Sequence, residues 1–128
     1  MKPLLFVILL AVTALSSCQS PKHNGVGVEL DNGKKWTANA ETTEGINNMI
    51  AIIENNADAP ELKKQLKDEF NLIFKNCTMK GEAHNQLHNF LLPMKQMIDN
   101  IDEEQSNIRQ INIKSLSEYL ATYKNYFN

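Results

Sequence analysis

Past Thr37, apolar side chains return every three or four residues nearly to the end of the chain, and that spacing constrains the fold more than any other feature. Residues at this interval share one face of an α-helix, whereas a half-buried strand would alternate. Ile46, Met49, Ile50 and Ile53 form the first stripe and predict a helix over 40–55. Asn55-Asn56 and Asp58-Ala59-Pro60 interrupt it, with Asp58 the expected N-cap of a second helix and Pro60 in its opening turn. That helix is expected to run to 76 on the stripe Leu62, Leu66, Phe70 and Ile73, and Cys77 continues the same face at its end. Lys63, Lys64, Lys67, Asp68 and Lys75 fall mainly on the solvated side.

Gly81 punctuates the next turn, and a third helix is expected over 82–102. Its seam is His84, Leu87, Leu91, Met94, Ile98 and Ile101, which puts His84 at a core position; Pro93 should kink the helix or divide it. An acidic turn over 102–105 leads to a fourth stripe of Ile113, Leu116, Leu120, Tyr123 and Phe127. Two signals compete for the start of this helix. Ser115 and Glu118 make a capping box, while Ile108 and Ile111 carry the periodicity back toward Ser106. Tyr119, Tyr123, Tyr126 and Phe127 make its end aromatic, as a bundle face often is. Four amphipathic helices joined by short turns indicate a mainly α chain, an antiparallel four-helix bundle. Ahead of them stands "VELDNGKKW", where Asn32-Gly33 signals a tight turn between Val28, Leu30 and Trp36. A short N-terminal β-hairpin is expected there, packed on the helices through Trp36.

The start of the chain carries a separate signal. Lys2 supplies a positive charge, and 4–15 is apolar except for Thr13. This run is short for a membrane span and has the length of a secretory leader's apolar region. It ends in Leu15-Ser16-Ser17-Cys18, which resembles the lipobox of bacterial lipoproteins. The resemblance, confined to residues 1–18, implies a diacylglycerol on the Cys18 thiol, cleavage before Cys18, and usually acylation of the new amino group. The expected organisation is a signal peptide over 1–17, a lipidated tether over 18–27, and one helical-bundle domain with its hairpin over 28–128. Gln19, not Asp, follows the cysteine, and no acidic run follows. In a cell with two membranes, the resemblance then implies the outer membrane, with the domain facing the periplasm.

Thirteen Lys and Arg against fifteen Asp and Glu leave a net charge of −2, and cleavage would remove Lys2 as well. A mildly acidic chain argues against a nucleic-acid partner, so membrane contact is expected through the Cys18 lipid. Once Cys18 is acylated, Cys77 is the sole remaining thiol. A lone thiol in an oxidising compartment calls for burial, a partner on another chain, or a metal.

The stretch "CTMKGEAHNQLH", 77–88, gathers donor atoms of that kind. His84 and His88, four apart, project from one helix face. Cys77 reaches the same corner from the preceding helix, and Met79 lies in the connection. Two sulfurs with two imidazoles suit copper first and zinc second. Glu82 is a candidate fifth ligand, or the outer carboxylate that orients an imidazole. Asn85 stands where a zinc protease carries its general-base Glu, and the order of donors is not that of blue-copper proteins. There is no haem-attachment motif and hence no expected organic cofactor. No nucleophile–base pair, phosphate-cradling loop or carboxylate pair suggests an enzyme.

The same residues admit a plainer use. His84 and His88 could each bond a backbone carbonyl or Glu82, with Cys77 a small core hydrophobe. Met94 fits the core, and Met97 flanks it. Two functions follow. One is a periplasmic lipoprotein that buffers or delivers copper, or zinc, through Cys77, His84, His88 and Met79. The other is a non-catalytic interaction lipoprotein that holds a protein partner on a bundle face without metal.

Overall fold

A computed structural model describes residues 27–58, 60–101 and 104–128. The expected signal peptide, Cys18 and the tether up to residue 26 lie outside the described residues. Those described form four long helices and a one-turn fifth: α1 (Ala40–Asn56), α2 (Leu62–Asn76), α3 (Gly81–Asp99), α4 (Ser106–Ala121) and α5 (Tyr123–Tyr126). The chain is mainly helical, and no described helix is long and apolar enough to cross a membrane.

Hydrogen bonds between helix ends show how neighbours run. Asn39, before α1, donates to the Asn76 carbonyl at the end of α2 (3.1 Å), so these two helices point in opposite senses. Lys63 at the start of α2 donates to the Ile101 carbonyl just after α3 (3.0 Å). Asn112 in the first half of α4 donates to the Asn100 carbonyl (2.6 Å), while Tyr119 further along reaches back to Phe90 (2.8 Å). Thr43 near the start of α1 meets the Tyr123 hydroxyl (3.1 Å), and Arg109 near the start of α4 donates to the Ala57 carbonyl (3.3 Å). Each helix thus runs against both of its neighbours.

The four stripes meet in one apolar cluster. Ile46, Met49 and Ile53 of α1 pack with Leu62, Leu66, Phe70 and Ile73 of α2. Leu87, Leu91, Met94 and Ile98 of α3 and Ile113, Leu116 and Leu120 of α4 complete it. Phe90 and Tyr119, outside the three-four seams, are also fully buried. Helix α1 presents Gly45 to α2, where a side chain would overlap Ile73 Cγ1.

Several expectations are corrected. Asp58 is not the cap of α2: the helix begins at Leu62, and Glu61 accepts its first bond, from Gln65 N (2.9 Å). Proline lacks an N–H and disfavours helical geometry in the residue before it, so Pro60 and Glu61 form the approach. Pro93 does not divide α3, which is continuous from Gly81 to Asp99 and stops short of 102. α4 starts at Ser106, so the periodicity of Ile108 and Ile111 prevails. Ser115 sits inside it, its hydroxyl bonded to the Ile111 carbonyl (3.0 Å). The last helix breaks at Thr122, whose hydroxyl bonds back to the Tyr119 carbonyl (2.6 Å) and competes with the helix ladder. Phe127 has left the helix altogether, with φ −127° and ψ 150°.

The hairpin is reduced to its turn. Asn32 and Gly33 take positive φ (49° and 83°), and Asp31 and Lys34 exchange both backbone bonds at 2.9 Å. No strand continues from that rung among the described residues, because the arm's polar groups are spent on the bundle. Glu29 N donates to Gln86 Oε1 (2.7 Å), and Trp36 pairs in parallel with Phe127 through Tyr126 O and Asn128 N (2.8 and 3.0 Å). Val28 enters the core, Leu30 stays exposed, and Trp36 packs half-buried on the core edge with its indole N–H on the Glu29 carbonyl (2.6 Å).

Candidate metal centre

α2 ends at Asn76, and Cys77 is the first residue beyond it, extended at φ −67° and ψ 121°. Four residues later Gly81, at φ 64°, opens α3. A left-handed conformation there favours a residue without a side chain. This short connection folds the end of α2 against the start of α3 in opposite senses. Phe74 and Cys77, three apart on one chain segment, therefore face His88 and His84, four apart on the other.

Two rungs result. On the outer one, Cys77 Sγ lies 3.6 Å from His84 Nδ1. On the inner one, the Phe74 ring meets the His88 ring edge-on, centroids 5.3 Å apart at 85°. The two imidazoles adjoin at 4.4 Å and 53°, so all four side chains are contiguous. Cys77, His84 and His88 are half-buried, as is Met79, which packs against the core edge. His84 is therefore not a core residue as its place in the seam suggested; α3 has only just begun there, and the stripe closes one turn later at Leu87.

The hydrogen bonds separate the two uses of the corner. Among the described residues, His88 makes no hydrogen bond, and His84 only its contact with Cys77. Glu82 orients neither imidazole: its carboxylate accepts from Gln86 Nε2 (2.8 Å) and Asn85 Nδ2 (3.2 Å), which lower its pKa in that order. Gln86 in turn holds Glu29, so Glu82 belongs to the anchorage of the N-terminal arm. Burial, and secondarily the charge of His84, hold the His88 imidazole below the ordinary histidine range. A neutral imidazole is the form that binds a metal.

Thiolate and imidazole on one tetrahedral ion, with bonds of ~2.3 and ~2.05 Å, sit about 3.6 Å apart. The Cys77–His84 pair has that spacing, which an S–H···N hydrogen bond shares. Among the described residues, no group of three or more His, Cys, Asp or Glu stands assembled to hold an ion. The geometry supplies a pair at ligand spacing with a second imidazole beside it.

One neighbour went unnoticed in the sequence: Phe74 precedes Cys77 by one helical turn, a spacing that was there to be read. Tyr123, from the other end of the chain, bonds Thr43. Burial pushes its phenol up, the Thr43 hydrogen bond opposes this, and the charge of Cys77 adds to the rise. Comparison with family models, with curated proteins and with solved structures finds no match.

Proposed function

We propose that this chain is a lipid-anchored envelope protein whose antiparallel four-helix bundle binds a soft transition metal, copper before zinc, for buffering or delivery. The observation that carries the proposal is the Cys77–His84 contact at 3.6 Å with the His88 ring alongside, its nitrogens not spent on hydrogen bonds among the described residues. The Glu82 carboxylate, occupied by Asn85 and Gln86, does not compete for either imidazole. In this proposal an ion would draw His88 into a three-donor set with Cys77 and His84, and Met79 would supply a further sulfur. In this reading the protein is not an enzyme, and the ion is cargo.

The anchor is proposed from the lipobox resemblance at Leu15-Ser16-Ser17-Cys18, with residues 1–17 removed and the domain held at the periplasmic face of the outer membrane. Several acyl chains bind nearly as firmly as a membrane span, since each buried methylene adds ~0.8 kcal/mol. A second reading, an interaction module without metal, draws on the exposed Leu72, Leu92 and Ile111. Two measurements test the proposal. A clickable fatty acid should label the chain but not its Cys18→Ser variant, and continued labelling and cleavage of that variant would remove the anchor. Metal analysis of the chain purified without a histidine tag should find stoichiometric copper or zinc, absent from Cys77→Ser; equal content in both would remove the site.

A further inference from the structure

We infer that the α2–α3 face of the bundle lies on the lipid surface that holds the anchor, with Phe74 and Leu92 entering the interface and lysines of both helices meeting anionic headgroups. The inference is independent of the metal reading and rests on the Cys18 anchor proposed above.

The N-terminal arm shows where the chain leaves the bundle. Glu29 N donates to Gln86 Oε1 (2.7 Å), and the Gly27 carbonyl accepts from Asn89 Nδ2 (3.0 Å). Gln86 and Asn89, three apart, stand on one ridge of α3, so the arm, followed toward its start, climbs that ridge. The next residue on it is Leu92, 57% exposed. Residues 19–26 separate Gly27 from Cys18, and the chain between those two reaches at most ~30 Å. An acylated Cys18 thus keeps this side of α3 near the bilayer, where a short tether raises the effective concentration of any surface contact.

The face presented there has the chemistry of a membrane-surface element. His88 lies between two apolar side chains: Leu92, one turn along α3, and Phe74 of α2, 40% exposed, whose ring meets the imidazole at 5.3 Å. Around them stand Lys64, Lys67 and Lys75 of α2, Lys80 of the connection and Lys95 of α3, all exposed. Asp99 is shared by Lys67 and Lys95, and Asp68 pairs with Lys64, so ammonium groups outnumber carboxylates. Leucine and phenylalanine with flanking lysines suit the headgroup boundary, the lysine stems reaching toward phosphates. Helix α1, on the opposite face with α4, carries Glu41, Glu44 and Glu54 and no Lys or Arg. An anionic surface therefore attracts the α2–α3 side and repels the α1 side.

The test reconstitutes the full lipidated chain in vesicles of phosphatidylethanolamine and phosphatidylglycerol with acyl chains brominated near the headgroup. Tryptophan quenching is the readout. Leu92→Trp probes the face; Glu118→Trp, exposed on α4 where it borders α1, is the control, and the parent supplies the Trp36 baseline. Leu92→Trp should lose most of the emission it adds, and Glu118→Trp little. Phosphatidylcholine in place of phosphatidylglycerol, or Lys75→Glu with Lys80→Glu, should reduce the loss; quenching unchanged by either overturns the part assigned to the lysines. Equal quenching at both positions, or none at Leu92→Trp in a chain that floats with the vesicles, overturns the docking face and leaves the anchor standing. Leu92→Trp hidden from aqueous iodide yet unquenched by bromolipid puts a second copy of the chain on the face and overturns it too. A parent chain that does not float with the vesicles overturns the anchor reading itself.

Discussion

The Tyr119 ring stacks on the Phe90 ring, centroids 4.7 Å apart at 21°, and its hydroxyl donates to the Phe90 carbonyl at 2.8 Å. One residue thus joins α4 to α3 by both packing and a buried hydrogen bond, and burial pushes its phenol above the ordinary range. Tyr119→Phe keeps the packing and removes the bond, at an expected cost of about 1 kcal/mol. Tyr119→Ala also opens a cavity and should cost about 3–5 kcal/mol. Urea unfolding separates the two; equal losses would mean that the hydroxyl, not the ring, holds the helices together.

Gly45 opposes propensity to packing. Alanine is the better helix former by about 1 kcal/mol. At this position, however, its methyl would overlap Ile73 Cγ1 of α2. Overpacking costs about 1–3 kcal/mol, so Gly45→Ala should destabilise on balance. In an Ile73→Ala background the obstruction is gone, and the same substitution should become stabilising. Unfolding free energies of the four variants give the sign directly, and destabilisation in both backgrounds would place the conflict elsewhere.

His88 should make stability depend on pH in the metal-free chain. Burial, with the charge of His84 second, depresses its pKa in the folded state, so the unfolded chain takes up a proton first as the solution is acidified. Stability is therefore full above the unfolded histidine value of about 6.5 and declines as pH falls from there toward the folded value. His88→Gln should flatten this segment of the curve. Chemical unfolding with a chelator present, from neutral to mildly acid pH, measures it; a variant with the parent's slope would assign the dependence to another group.

The four helical stripes were legible because burial follows the three-four spacing, and Leu62, Leu66, Leu91, Met94 and Leu116 are all inside. Phe90 was not, because an aromatic just off the seam can still reach the core when a facing ring, here Tyr119 of the aromatic end of α4, receives it. The turn at Asn32-Gly33 was legible in its local chemistry. The strands around it fail because the Glu29 N–H is taken by the Gln86 side chain and the Trp36 backbone by Tyr126 and Asn128, relations between distant parts of the chain. At the candidate site, the contact of Cys77 with His84 and of His84 with His88 followed from helix spacing across a short turn. The use of Glu82 by Asn85 and Gln86 did not, since three polar residues within one helical turn leave open which pairs form.

The central claim is that Cys77, His84 and His88 share an ion, and thermal unfolding with buffered copper(I) tests it most directly. An ion that binds the folded chain stabilises it by mass action, by about 2.7 kcal/mol at a free concentration 100 times Kd. For a domain of this size that is a rise in Tm on the order of 10 °C. The measurement uses the full chain with Cys18→Ser, with Cys77 verified as reduced. The expected result is a rise with copper(I) larger than with zinc, mostly lost in Cys77→Ser, His84→Ala and His88→Ala, partly lost in Met79→Leu, and intact in His23→Ala. A reduced parent chain whose Tm neither ion moves would contradict the claim and leave the corner a purely structural contact between α2 and α3.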